Sequence, residues 1–197
     1  VYKGQGLPIL IPVLDLIEIG SGGGSIASLD NLGLLRVGPL SAGASPGPAC
    51  YGLGGTQPTV TDANLMLGYL NPEYFLGGRM TLDIDAATSA MSSLGSDMGM
   101  DPIEAAWGIY NVVTESMAAA ARIHIIGRNK DPRNYAIVAF GGAGPAHACE
   151  VARILGATRV VIPLGAGVTS ALGCLAAPLS FESVRSLPGL LETTDWE

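Results

Sequence analysis

Residues 17–30 read IEIGSGGGSIASLD, and the glycines at 20, 22, 23 and 24 fall directly after an apolar run. Glycine costs a strand backbone entropy and offers nothing to pack. A cluster at a strand end therefore needs a reason: a phosphate, another strand, or a bare turn. A second cluster, Gly141-Gly142-Ala143-Gly144-Pro145, follows the apolar stretch NYAIVAF at residues 134–140. A glycine loop after a strand lets backbone N–H groups meet an anion with no Cβ in the way. Two such loops in one chain shift the reading toward a nucleotide.

The pattern around these loops alternates strands and helices. Residues 7–19 are aliphatic and β-branched, with Pro8 and Pro12 near the start, and read as a buried strand. Residues 25–37 hold two apolar segments around Asp30-Asn31-Leu32-Gly33, turn chemistry that predicts a hairpin. Residues 39–58, PLSAGASPGPACYGLGGTQP, form a loop long enough to imply function or a packed surface excursion. Helices are predicted over 61–70, with Thr61 or Asp62 as N-cap, and over 83–94. The strongest helical pattern spans 101–126. Asp101 caps it, Pro102 suits the first position and Glu104 completes a capping box. Ile103, Trp107, Tyr110, Val113, Met117, Ala121 and His124 then recur at helical spacing as a core face. Residues 134–140 read as a buried strand, 146–155 as a helix, 160–162 as a strand and 169–177 as a helix. The tail from 187 carries no pattern, and no internal repeat is present. The order implies an α/β domain with a mixed sheet and flanking helices.

Charge and cysteine content narrow the function. A net charge of −7, with Lys+Arg at 10, excludes nucleic acid, because phosphate neutralisation needs a basic stripe. The apolar stretch at 164–179 is broken by Gly165, Gly167, Gly173 and Pro178, so it is a poor membrane span. Cys50, Cys149 and Cys174 show no metal or disulfide spacing, which fits a reduced, cytoplasmic setting. The chain starts without Met or a signal-like leader, as a piece of a longer protein would.

A dinucleotide fingerprint is the first rival for residues 20–25. It needs a third glycine where Ser25 stands and a helix where a hairpin is predicted. A Walker loop fails as well, since neither cluster is followed by Gly-Lys-Ser/Thr. A strand, a glycine turn and another strand instead resemble the sugar kinase, actin and chaperone ATPases. The string GSGGGSIASLDNLGLLRVGPLSAGASPGPACYGLGGTQPTVTDANLMLGYL resembles the hydantoinase A / 5-oxoprolinase family, and DPRNYAIVAFGGAGPAHA and GVTSALG resemble its later motifs. The likeness runs over residues 8–180.

That resemblance implies an ATP-dependent opening of cyclic amides such as hydantoins or 5-oxoproline. Two alternatives accompany it: an ATP-dependent carboxylase subunit acting on acetone or acetophenone, and a non-catalytic interaction domain. It implies the second half of an actin-like (ribonuclease H-like) ATPase domain over residues 1–186, with 187–197 as a tail. The N-terminal half lies outside the chain, and a hydantoinase B-type subunit is the implied partner. ATP and Mg²⁺, or another divalent cation, are the implied cofactors. Gly22, Gly23, Gly24 and Ser25 become a hairpin tip for terminal phosphates. Gly141, Gly142, Ala143, Gly144 and Pro145, with His147, become the second nucleotide loop. Chaperone-type loops carry an acid directly before the glycines; here Gly20 and Ser21 stand there, Glu18 and Asp15 are the nearest acids, and no metal ligand is assigned. Residues 127–131 are longer than the family's usual turn, as a surface change.

Single residues have competing readings. Asp62 in PTVTDAN has the spacing of an N-cap, while the resemblance makes it the catalytic carboxylate, orienting Mg²⁺ or acting as a base. His147 either contacts the nucleotide or packs in the first turn of its helix. Cys50 and His124 read as core, Cys149 and Cys174 as helix packing, and Arg128, Lys130 and Arg133 as a solvated turn.

Overall fold

The chain order is β1 (Tyr2–Gly4), β2 (Leu7–Ile9), β3 (Ser25–Leu29), β4 (Leu35–Ser41), α1 (Val60–Met66), α2 (Ile84–Met98), α3 (Pro102–Ile126), β5 (Ile137–Val138), α4 (Gly144–Leu155), β6 (Val160–Val161) and α5 (Thr169–Ala176). These elements come from a computed structural model that describes residues 2–4, 7–9, 16–179 and 181. The tail from 187 lies outside the described residues.

The long helix is the spine, and it forms as its local signals dictate. The Asp101 carboxylate accepts from the N–H groups of Ile103 and Glu104 at 2.8 and 2.9 Å, and the Asp101 N–H donates to Glu104 Oε2 at 3.0 Å. Pro102 takes the first turn, where no intrahelical N–H is needed. On one side of α3 the β3–β4 hairpin, α1 and α2 bury Ala27, Val60, Met91, Leu94, Ile109 and Val113 in one core. On the other side Ala118 packs against Val151 and Leu155 of α4. Tyr110 is buried as its spacing predicted, whereas Ile103 and Trp107 lie about half exposed, because among the described residues nothing fully covers the N-terminal end of α3 there.

The hairpin turns at the predicted place. Asp30 builds its turn, accepting from the N–H groups of Leu32 and Leu34 at 2.9 and 3.0 Å, and Arg36 closes on its other oxygen at 2.8 Å. The loop predicted over 39–58 is partly ordered: β4 runs on to Ser41, and Ala49–Tyr51 form one 3-10 turn.

The mixed sheet is corrected. Among the described residues there are three separate two-stranded sheets, β1–β2 and β3–β4 antiparallel and β5–β6 parallel. The strand expected over 7–19 is confined to β2 within the described residues; positions 16–19 are exposed and not in a strand. The strand expected over 134–140 shrinks to Ile137–Val138, and only Ala139 near it is buried, with Val138 and Phe140 half exposed. A parallel strand is normally covered on both faces. This pair is covered by α4 through Ile137, Val151 and Leu155, and open on the side of Val138 and Val161.

Candidate functional site

The first glycine loop is held shut by its own chain. The Ser25 hydroxyl accepts from the Gly22 N–H at 2.9 Å and donates to the Gly20 carbonyl at 3.3 Å. Thr61, at the start of α1, donates twice to the Gly23 carbonyl, from its N–H at 2.8 Å and its hydroxyl at 2.9 Å. A Cβ added to Gly23 would lie 2.8 Å from Thr61 Oγ1 and 3.7 Å from the Ala143 Cβ, so the two loops face each other.

The second loop is set by the β5–β6 pair. Ala139 N–H donates to Val161 O at 2.9 Å, and Gly141 N–H to Ala166 O at 2.8 Å. Gly141 turns with φ +89°, and α4 begins three residues on. That helix start has no side-chain cap and no acid in its first turn, and Pro145 sits within it. Its orphan N–H groups and the positive end of its dipole are therefore available to an anion.

Between the loops lies a cavity of about 520 Å³, lined by Gly23 and Gly24 on one side and Gly141, Gly142, Ala143 and Pro145 on the other. Thr61 and Asn64 of α1 line its floor. The N–H groups of Gly23, Gly24, Gly142 and Ala143 have no hydrogen-bond partner among the described residues. Of the expected nucleotide residues, Gly22, Ser25, Gly144 and His147 do not line this cavity. Ser25 works as the staple inside the loop, and Gly144 lines a smaller cleft near Ile137 and Val151.

Asp62 changes role. It is not the N-cap, which is Thr59, but the third residue of a capping box. Its fully buried carboxylate accepts from Thr59 N–H at 2.9 Å, Thr59 Oγ1 at 2.7 Å, Cys50 N–H at 2.7 Å and Ala49 N–H at 3.3 Å. Those four donors occupy both oxygens, so the catalytic expectation gives way to a clamp between α1 and the 49–51 turn. Cys50 sits under that clamp, and burial, with Asp62 beside it, pushes its thiol well up, which fits the expected inert core cysteine.

His147 is fully buried behind the cavity floor. Its Nδ1 lies 2.9 Å from Thr114 Oγ1 and its Nε2 3.2 Å from Asn64 Nδ2. Its ring stacks on Tyr110 at 4.7 Å, and Tyr110 stacks in turn on Tyr69 and Trp107. Burial pushes the imidazole down to about 4, so it is neutral at physiological pH. The nucleotide-contact reading of His147 gives way to the packed one.

Asn64 was missed by sequence reasoning. It is 3% exposed, lines the cavity, and its Oδ1 has no partner among the described residues. An unpaired buried carbonyl costs on the order of 1–3 kcal/mol. The only signal in the sequence is its place two residues after Asp62, in the capped start of α1. Cys149 and Cys174 are exposed, against the expectation of packing, and His124 is only partly buried with Nδ1 unpartnered among the described residues. Arg133 pairs with Asp131 at 2.7 Å in a solvated turn, as expected.

The hydantoinase/oxoprolinase family model matches residues 1–183. Caprolactamase subunit alpha of Pseudomonas jessenii is 42% identical over 92% of this chain, which spans 26% of that protein. Acetophenone carboxylase gamma subunit of Aromatoleum aromaticum is 48% identical over 70% of this chain, which spans 19% of it. The crystal structure of the ATP-dependent caprolactamase from Pseudomonas jessenii superimposes with a TM-score of 0.75 at 44% identity, covering 83% of this chain and 24% of that one. The chain thus spans about a quarter or less of the length of these relatives.

Proposed function

The chain belongs to the hydantoinase/oxoprolinase family, and from that premise we propose that its two glycine loops hold the phosphates of ATP in an enzyme that opens cyclic amides. The observation that carries this reading is the set of unpartnered N–H groups on Gly23, Gly24, Gly142 and Ala143 around one cavity. Preorganised donors of this kind stabilise the charge on a transferring phosphoryl group. ATP, when bound, supplies the phosphoryl group that turns the amide oxygen into a leaving group. The balance is simple: the γ-phosphoryl group passes to the ring carbonyl oxygen and ADP departs. One water then adds at the ring carbon, the ring C–N bond breaks with the nitrogen taking a proton, and the acyl phosphate so left is hydrolysed by a second water to the carboxylate and phosphate.

The chain's own residues divide this work. The loop N–H groups bind and orient, Thr61 fixes the Gly23 carbonyl, and Asp62 is a positioning residue that fixes the start of α1. Among the described residues no three His, Cys, Asp or Glu side chains gather to hold a metal, so no step is assigned to Mg²⁺ or another divalent cation. Residues 1–186 form the second half of an actin-like ATPase domain in this reading, with 187–197 as its tail. The other wall of the cleft comes from the rest of a longer polypeptide. The half-exposed Val138, Phe140 and Val161 on the open side of the β5–β6 pair support that arrangement. A hydantoinase B-type subunit is the proposed partner and the cytoplasm the proposed location; among the described residues no helix is long and apolar enough to cross a membrane.

The test is ATP turnover by the full-length polypeptide with its partner subunit. Hydantoin, 5-oxoproline or caprolactam should raise ADP release; no response to any cyclic amide sinks the reading. A second reading rests on the likeness to the acetophenone carboxylase subunit: ATP use that needs bicarbonate and a ketone would replace amide opening.

A further inference from the structure

Asn64, His147 and Thr114 form one polar line through the protein interior, with Tyr110 stacked on its histidine, and its protons have a direction. Tyr110 Oη donates to the Ala146 carbonyl at 3.2 Å. The Tyr110 ring stacks on His147 with centroids 4.7 Å apart. The Asn64 Nδ2 amide group can only donate, so His147 Nε2, 3.2 Å away, accepts from it. A neutral imidazole has one N–H, which therefore sits on Nδ1 and donates to Thr114 Oγ1 across 2.9 Å. The Nδ2 end is held, and Oδ1 is the end left over.

That oxygen is a buried acceptor without a partner among the described residues, on a residue that lines the cavity between the loops. An acceptor repels phosphate oxygens, so it is wrong for the nucleotide's charged end and right for a neutral donor. Thr61, one helical turn earlier, holds the Gly23 carbonyl, so Asn64 stands beside the N–H groups assigned to the phosphates. The group next to a transferring phosphoryl is the acceptor substrate, not the base or ribose. In a small ring the amide is cis, and its N–H and C=O point off the same edge. An acceptor that takes the N–H thus turns the carbonyl oxygen toward the phosphate.

We propose that Asn64 Oδ1 accepts the ring N–H of the cyclic amide and so orients its carbonyl for phosphorylation. The inference rests on the cyclic-amide reading given above. His147, Thr114 and Tyr110 then act through Asn64, as positioning residues that keep its oxygen aimed at the substrate.

The experiment compares caprolactam, hydantoin and 5-oxoproline with their N-methyl counterparts as ligands of the full-length enzyme with its partner, by competition binding in the presence of ATP. The wild type should prefer the N–H form on the order of 10- to 100-fold, the worth of one buried hydrogen bond. Asn64→Ala should reduce that preference to within about threefold, with the KM for ATP unchanged. Equal wild-type binding of N–H and N-methyl forms overturns the proposal without any variant, even if Asn64→Ala fails to fold. An unchanged preference in Asn64→Ala overturns it too, as does a rise in the ATP KM alone, which assigns Asn64 to the nucleoside. If cyclic amides support turnover while N-methylation makes no difference to binding, this inference falls and the functional reading stands. If no cyclic amide stimulates turnover, both fall together.

Discussion

The two glycine loops line one cavity, yet their glycines are there for different reasons. In the first loop the neighbours are intramolecular. A Cβ on Gly20 would lie 2.9 Å from the Pro39 Cβ, one on Gly23 2.8 Å from Thr61 Oγ1, and one on Gly24 2.8 Å from Ser41 Oγ. In the second loop a Cβ on Gly142 or Gly144 would meet nothing within 4 Å. The first loop is glycine-rich because the protein folds tightly upon it. The second has no such internal reason at Gly142, and only what enters the cavity supplies one. A glycine cluster in a sequence is therefore two different statements, and side-chain space tells them apart.

The comparison breaks most sharply at the clamp beneath the first loop. Asp62→Ala strands four donors and should cost on the order of 3 kcal/mol in chemical denaturation. A variant that unfolds like the wild type but loses turnover would return Asp62 to catalysis. Gly38→Ala comes next. Gly38 has φ +75°, and its added Cβ would run into the Gly20 carbonyl, so a loss of about 2 kcal/mol or more is expected in thermal unfolding. Gly142→Ala should do the opposite: an unchanged melting temperature with nucleotide affinity down about tenfold, roughly 1.4 kcal/mol, by titration calorimetry. A loss of stability there would erase the distinction between the loops.

Titration adds a graded effect. His147 binds its proton at about 4 in the folded state against 6.5 for an ordinary imidazole. The unfolded chain therefore takes up the proton first as pH falls. The stability contributed by the neutral ring is fully present above about pH 6.5 and drains away toward about pH 4. Unfolding midpoints followed across that range should slope in the wild type and flatten in His147→Gln. The smallest effect belongs to Gly22→Ala, which meets nothing within 4 Å and stays outside the cavity. Both stability and nucleotide binding should match the wild type.

What the sequence disclosed follows the range of each interaction. The cap of α3 and the Asp30 turn use partners two to six residues away, and both were legible. The family motifs located the loops. The partners of Asp62 at Ala49 and Cys50, and the pairing of Asn64 with His147 across 83 positions, are set by tertiary packing and leave no local pattern. The apolar run at 134–140 predicts a buried strand because hydrophobicity reports a need for cover without naming what provides it. Val138 and Phe140, both half exposed, carry that need openly.

The stacked rings carry an optical consequence. Trp107 lies on Tyr110 with centroids 5.3 Å apart, and Tyr110 lies on His147 at 4.7 Å, immediately behind Asn64. The column ends at a half-exposed indole on the surface and begins one hydrogen bond from the cavity floor. Excitation absorbed by Tyr69 or Tyr110 is within easy transfer distance of that indole. With Trp196 replaced by phenylalanine, Trp107 emission would report on the wall that a ligand would touch without an added label.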